Sequence, residues 1–273
     1  MKNRQPWPKH RGKAQKPEAK AAPRGREPVF HRPAGDVVVI YGFHAVREAL
    51  RAKRRDLLAL SATETAAARL EAEAAEAGLK PRIVAPEDLD RRLGPDAVHQ
   101  GVLLEARPLP PMTIEDIAAK GGLVLMLDQI TDPHNVGAIL RTAAAFAVDA
   151  LITTERHAPA LSGVLAKAAS GGLELVPIVE VVNLARALDD LGDFGYLRVG
   201  LDSEAPVSLT EAPLTRPLAL VLGAEGKGLR RLSREKCDVL AKLDMPGAIK
   251  SLNVSNACAV ALALVHTKLK GGA

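Results

Sequence analysis

The sequence predicts an α/β protein whose larger part is a parallel sheet covered by helices on both faces. Two observations carry that prediction. Short continuously apolar runs, such as Leu123–Leu127 and Pro217–Leu222, alternate with stretches that are apolar at helical spacing; strands apolar on both faces belong to parallel sheets buried under helices. The segment Arg107-Pro-Leu-Pro-Pro-Met112 puts three prolines in four positions, which stops helix and sheet pairing alike and divides the chain into a small and a large α/β unit.

The elements follow in order. Residues 1–35 hold ten Lys and Arg against two Glu, a net +8, with six prolines. Such a segment cannot bury enough apolar surface to offset its ordering entropy and is expected to be disordered. A flexible polycation points to phosphate-bearing partners, a plain solubility tail being the alternative. The small unit, 36–107, reads as strand Val37–Tyr41, helix Phe43–Ala52, strand Leu57–Ser61, an Ala/Glu-rich helix Glu64–Ala77 stopped at Gly78, and strands Arg82–Val84 and Val102–Ala106. A Pro-rich linker, 108–121, leads to the large unit, 122–271. There the expected strands are Leu123–Leu127, Ala150–Thr153, Leu173–Val181, Tyr196–Gly200, Pro217–Leu222 and Val239–Leu243. The expected helices are Pro133–Ala147, Leu161–Ala169, Leu184–Leu191 and 253–268.

Composition narrows the function classes. With 47% hydrophobic and 25% charged residues the 273-residue chain is of globular type. One Trp, two Tyr and four Phe do not make aromatic platforms for stacking bases. Cys237 and Cys258 have no partners at metal-ligand spacing, so no metal site is expected and a reducing, cytoplasmic setting fits. The longest apolar run, Ala257–Val265, has nine residues, against about 20 for a membrane-spanning helix. No membrane span or signal peptide is therefore expected.

In a parallel sheet ligands sit at the carboxyl ends of the strands, and three loops there carry unusual residues. The first, Asp128-Gln-Ile-Thr-Asp-Pro-His-Asn-Val-Gly-Ala-Ile-Leu-Arg141, starts a helix at Asp132-Pro133. Val136, Ile139, Leu140 and Ala143 form its buried stripe, with Asn135 at the loop mouth and Arg141 on another face. Alone it reads as a capped helix with a solvated arginine. The second loop runs from a buried strand into Gly223, Gly226 and Gly228 with one carboxylate, Glu225. It fits neither common phosphate-loop spacing, and the carboxylate would repel a phosphate. The third, from Met245 to Val260, crowds Ser251, Asn253 and Ser255 at the start of a helix apolar all round. One cap suffices, and the excess suggests a binding mouth.

In this order and spacing, Asn-Val-Gly-Ala-Ile-Leu-Arg at 135–141, Leu-Gly-Ala-Glu-Gly-Lys-Gly at 222–228 and Ser-Leu-Asn-Val-Ser at 251–255 resemble the three motifs of the SpoU family of RNA ribose 2′-O-methyltransferases, in the SPOUT superfamily. The small unit, with Tyr41-Gly-Phe-His-Ala-Val and His99-Gln-Gly-Val102, is similar to the ribosomal-protein-like RNA-binding domain of the branch that acts on 23S ribosomal RNA guanosine. The resemblance implies a C-terminal segment threaded into a trefoil knot, S-adenosylmethionine as cofactor, RNA as partner, and an active site shared across a homodimer. It implies cofactor contacts at Gly223, Leu243 and Leu252 and catalytic roles for Asn135, Arg141, Glu225, Ser251 and Asn253. Asp244 stands where family members often have proline, and Asn256 where a small apolar residue is usual.

The implied reaction is an in-line displacement in which a ribose 2′-oxygen takes a sulfonium methyl group, with no metal or covalent intermediate. The favoured reading has Arg141 fork a backbone phosphate of the target and hold the hydroxyl in line, with Glu225 orienting the guanidinium; Arg141 as a neutral base is the alternative. Ser251 and Asn253 position ribose or cofactor, and Asn135 fixes the loop presenting Arg141. Transfer RNA as substrate is an alternative, and a non-catalytic RNA-binding or ribosome-assembly factor is another.

Overall fold

The computed structural model describes residues 36–94, 96–156 and 163–271. The disordered tail expected over 1–35 lies outside them. The small unit comprises β1 (Val38–Tyr41), α1 (Phe43–Ala52), β2 (Leu57–Ala62), α2 (Glu64–Arg69), α3 (Glu71–Glu76), β3 (Arg82–Ile83), α4 (Pro86–Leu93) and β4 (Val102–Ala106). Its four strands lie in the order β1-β4-β2-β3. β4 is antiparallel to both neighbours and β2 parallel to β3. The single helix expected over 64–77 is two, broken at Leu70, which has φ −110° and is fully buried. Burying that leucine outweighs the helical propensity of the Ala/Glu run around it. α4 was not foreseen.

Nor is the linker structureless throughout. α5 (Ile114–Ala118) starts in a capping box, the Thr113 amide donating to Asp116 at 2.9 Å while the Thr113 hydroxyl accepts from the Asp116 amide. Ile114 and Ile117 then enter the core of the large unit.

That unit runs β5 (Leu123–Asp128), α6 (Pro133–Ala145), β6 (Ala150–Thr154), α7 (Gly163–Ala169), α8 (Gly172–Leu175), β7 (Ile178–Val181), α9 (Leu184–Asp193), β8 (Leu197–Leu201), β9 (Val207–Ser208), β10 (Leu218–Gly223), α10 (Arg231–Glu235), β11 (Val239–Lys242) and α11 (Val254–Gly271). Its strands lie in the order β7-β6-β5-β10-β8-β11-β9, and every neighbouring pair is parallel. The expected parallel sheet is present, with both faces covered. On β5, Leu123, Leu125 and Leu127 pack with α6, α7 and α11, while Val124 and Met126 face α5 and α9. Each such burial stabilises by roughly 1.5–3 kcal/mol. The stripe on α6 is as expected, with Val136, Ile139, Leu140 and Ala143 all buried.

Three differences stand out. The strand expected over Leu173–Val181 begins as a helical turn, α8, because Gly171 takes φ 92° and Gly172 abuts the α6 backbone; only Ile178–Val181 is strand. The short elements β9 and α10 carried no periodic signal. α11 is not buried all round: Val254, Cys258, Ala261, Leu262 and Val265 face the core, whereas Val260 is exposed. The start of the helix expected from Leu161 lies outside the described residues.

Candidate functional site

Because all the strands are parallel, the loops after β5, β8, β10 and β11 emerge at one edge of the sheet. The loop after β10 folds tightly on itself. The Gly228 amide donates to the Ala224 carbonyl at 2.8 Å, and Gly226 and Gly228 take φ 75° and 64°, a region costly for residues bearing a Cβ. Gly223 has no room for a side chain, since a Cβ there would lie 2.1 Å from the Gly228 carbonyl carbon. Asp128, fully buried at the end of β5, pins this loop, accepting from the Arg230 amide at 2.9 Å and pairing with its Nε at 2.5 Å.

At the start of α6 the Asp132 carboxylate accepts from the His134 amide at 2.9 Å, the cap expected from sequence. Of the three polar residues crowding the start of α11, Asn253 is the cap. Its Oδ1 accepts from the Ser255 amide at 2.9 Å and hydroxyl at 2.6 Å, while its Nδ2 donates to Asn135 Oδ1 at 3.0 Å. Two candidate residues 118 positions apart are thus bonded, tying α6 to α11.

Between the loops lies a pocket of about 250 Å³. Gly223, Leu243 and Leu252, the three expected cofactor positions, all line it, as do Glu225 and Ser251. Leu222, Val254 and Ala257 complete its apolar walls, and Lys250 is on its rim. Sequence reading missed Leu201, Asp202 and Ser203, which close the pocket from the end of β8. The signal was there, an acidic residue directly after an apolar run, but that strand was expected to end one residue early. Asp202 pairs with Arg234 at 2.6 Å and accepts from the Glu204 amide at 2.9 Å. Asp244 does not line this pocket. It faces an adjoining cleft and accepts a hydrogen bond from the Ser208 hydroxyl, which ties β9 to the pocket loop.

Arg141 stands apart. It lies six residues beyond Asn135, about 240° around the helix. It is exposed, lines no part of the pocket and has no polar side-chain partner among the described residues. The expected pairing of Arg141 with Glu225 is not found within the chain: Glu225 is exposed on the pocket rim and likewise unpaired among the described residues. Apolar walls with close backbone approach suit a flat heterocycle, and the mixed polar rim suits a charged, zwitterionic tail.

A family model described as the SpoU rRNA Methylase family matches residues 122–263, and one described as RNA 2′-O ribose methyltransferase substrate binding matches 39–112. The chain belongs to the SpoU rRNA methylase family. Among its SpoU relatives, a 23S rRNA (guanosine-2′-O-)-methyltransferase RlmB from Nitrosomonas europaea is 38% identical over 244 residues, covering 82% of this chain and 88% of that one. The protein of the same description from Yersinia pestis is 38% identical over 233 residues, covering 82% and 94%. Among solved SpoU structures, the methyltransferase AviRb from Streptomyces viridochromogenes, in complex with AdoMet, superposes with a TM-score of 0.72 at 21% identity, over 84% of this chain and 89% of that one. That likeness shows the fold. No helix among the described residues is long and apolar enough to cross a membrane.

Proposed function

We propose that the protein transfers a methyl group from S-adenosylmethionine to a ribose 2′-hydroxyl of RNA, and that the target is a guanosine of 23S ribosomal RNA. One observation carries the reading: Gly223, Leu243 and Leu252 line a single pocket beside the bonded pair Asn135–Asn253. The RlmB relatives, matched over both units, support the choice of substrate. A ribosomal substrate would put the enzyme in the cytoplasm.

The pocket fits the cofactor, with apolar walls and a tight glycine turn whose Gly223, Gly226 and Gly228 line it without side chains. Leu243 and Leu252 would hold the adenine, and Lys250 and Glu225 on the rim would meet the charged methionine end. When bound, S-adenosylmethionine supplies a sulfonium-activated methyl group to the 2′-oxygen. Arg141 forks a backbone phosphate of the target and holds the 2′-hydroxyl in line, the planar guanidinium serving as a clamp. The hydroxyl proton leaves late, shared with that phosphate on its way to solvent, and S-adenosylhomocysteine is the leaving group. Asn135, held by Asn253, fixes the start of the helix that presents Arg141, and Ser251 stands at the pocket mouth for the ribose.

We further infer a homodimer in which Arg141 of one subunit serves the pocket of the other. The exposure of Arg141 away from its own pocket supports this, as does the exposed Val260 face of α11. A C-terminal trefoil knot, an RNA-binding unit at 36–107 joined by residues 108–121 to a methyltransferase unit at 122–271, and a basic tail that meets RNA phosphates complete the reading. Ribose-methylation mapping of total RNA from cells lacking the protein tests it. One 23S guanosine should lose its methyl group. Loss at a transfer RNA position would move the substrate, and an unchanged map would overturn the function.

A further inference from the structure

Arg54 and Arg55, in the turn between α1 and β2, reach from the small unit into the large one. Arg55 Nε lies 2.9 Å from both carboxylate oxygens of Glu174 on α8, and the two side chains are 1% and 3% exposed. Arg55 Nη1 donates to the Arg107 carbonyl at 3.3 Å, and Arg54 Nη1 to the Glu174 carbonyl at 2.9 Å. Burial pushes the Glu174 carboxyl up, with the Arg55 charge acting against it.

α8 is wedged without clearance. A Cβ on Gly171 would lie 2.4 Å from Glu48 Cγ on α1. One on Gly172 would lie 2.7 Å from the Leu140 carbonyl oxygen and 3.0 Å from the Arg141 amide on α6. The small unit therefore presses on one side of α8 and the backbone at Arg141 on the other. Close-packed interiors transmit such displacements. Arg141 has no side-chain partner among the described residues, so the position of its backbone sets what its guanidinium can reach.

The pair is a poor device for stability alone. Buried ion pairs seldom outperform apolar residues of the same volume, and Arg55 Nη2 is buried with no hydrogen-bond partner among the described residues. What the guanidinium supplies is fixed geometry, its Nε shared between both Glu174 oxygens and its Nη1 on the Arg107 carbonyl. We propose that Arg55 and Glu174 are positioning residues for Arg141: seating of the RNA-binding unit, locked by this pair, sets through α8 the position from which Arg141 engages the target phosphate. The proposal rests on the reading of Arg141 given above.

The test uses the full chain. Arg55→Met combined with Glu174→Met removes both charges together and leaves none buried and unpaired. The expected result is a thermal midpoint no lower than the parent's, calorimetric S-adenosylhomocysteine affinity and RNA half-saturation each within threefold, and single-turnover transfer at saturating RNA at least tenfold slower. Arg55→Lys, which keeps the charge but not the planar guanidinium that reaches Glu174 and the Arg107 carbonyl together, should lose at least threefold in the same rate. If the double variant does not fold, Arg55→Lys carries the test with the same readouts. A parent-like rate overturns the proposal. So does a loss confined to RNA affinity, which would make the pair a fastener only, or an equal loss of S-adenosylhomocysteine affinity, which would mark general destabilisation. Arg141→Ala is run in parallel. A parent-like rate there refutes the reading of Arg141, whereas a dead Arg141→Ala beside a fully active double variant refutes the positioning role alone.

Discussion

Gly223 and Arg141 show how differently two residues of one site are constrained. Gly223 is held by its neighbours: a methyl group there would meet the Gly228 carbonyl carbon at 2.1 Å. The loop must shift to admit it, and overpacking of this kind costs about 1–3 kcal/mol. Gly223→Ala should therefore weaken calorimetric S-adenosylhomocysteine binding at least tenfold and lower the thermal midpoint; unchanged affinity would remove this loop from the cofactor site. Arg141 has no such cage, and its identity matters through chemistry. Arg141→Lys keeps the charge but loses the planar fork. In-line geometry set by that fork predicts a fall in single-turnover methyl transfer of about two to three orders of magnitude, some 3–4 kcal/mol. Cofactor affinity should stay near the parent's, because Arg141 lines no part of the pocket. A lysine variant within about threefold of the parent would show that bulk charge is enough.

Among the elements, the neighbours β8 and β11 are joined at their starts by one ion pair. Asp238 accepts from the Arg198 amide at 2.8 Å and pairs with the guanidinium at 2.5 and 3.0 Å. That hydrogen-bonded guanidinium holds the Asp238 carboxyl below the usual carboxylate range. A lowered carboxyl binds its proton less readily folded than unfolded, so its contribution is fully present above about pH 4 and is lost as pH falls through the lowered value. Asp238→Asn should be less stable than the parent near neutrality, and the gap in thermal midpoint should narrow on acidification; a gap constant from pH 6 to the acid limit would contradict this. Element-level reading succeeded where one period ruled, as on α6 with its cap at Asp132 and its four-residue buried stripe. It failed at α8, where Gly-Leu-Glu-Leu looks like the start of a strand. The turn there is imposed by Gly171 and by the α6 backbone against Gly172, contacts made with residues some 30 positions away.

For the whole molecule, the separation of Arg141 from the pocket of its own chain is the feature with the largest consequence. A closed two-fold pair of subunits would let each complete the other's site. Mixing Arg141→Ala chains with Gly223→Ala chains in equal amounts should then restore about a quarter of the parent activity, because half the dimers are mixed and each holds one intact site. Activity no higher than that of either variant alone, with exchange verified by a tagged chain, would assign Arg141 to its own subunit's pocket.

The strand-to-loop positions of Gly223 and Glu225, the helix-start positions of Ser251 and Asn253, and the parallel class of the sheet were legible because each depends on near neighbours in the chain: an unbroken apolar run, a glycine after it, a cap at a helix start. Asn135–Asn253, the closing of the pocket by Asp202, the wedge of α8 and the isolation of Arg141 were not. They depend on which strands lie side by side, β10 beside β5 and β8 beside both β10 and β11. Hydrophobic periodicity records that a face is buried but carries no information about what buries it. Only the packed molecule decides that, since close packing admits one set of neighbours at each face.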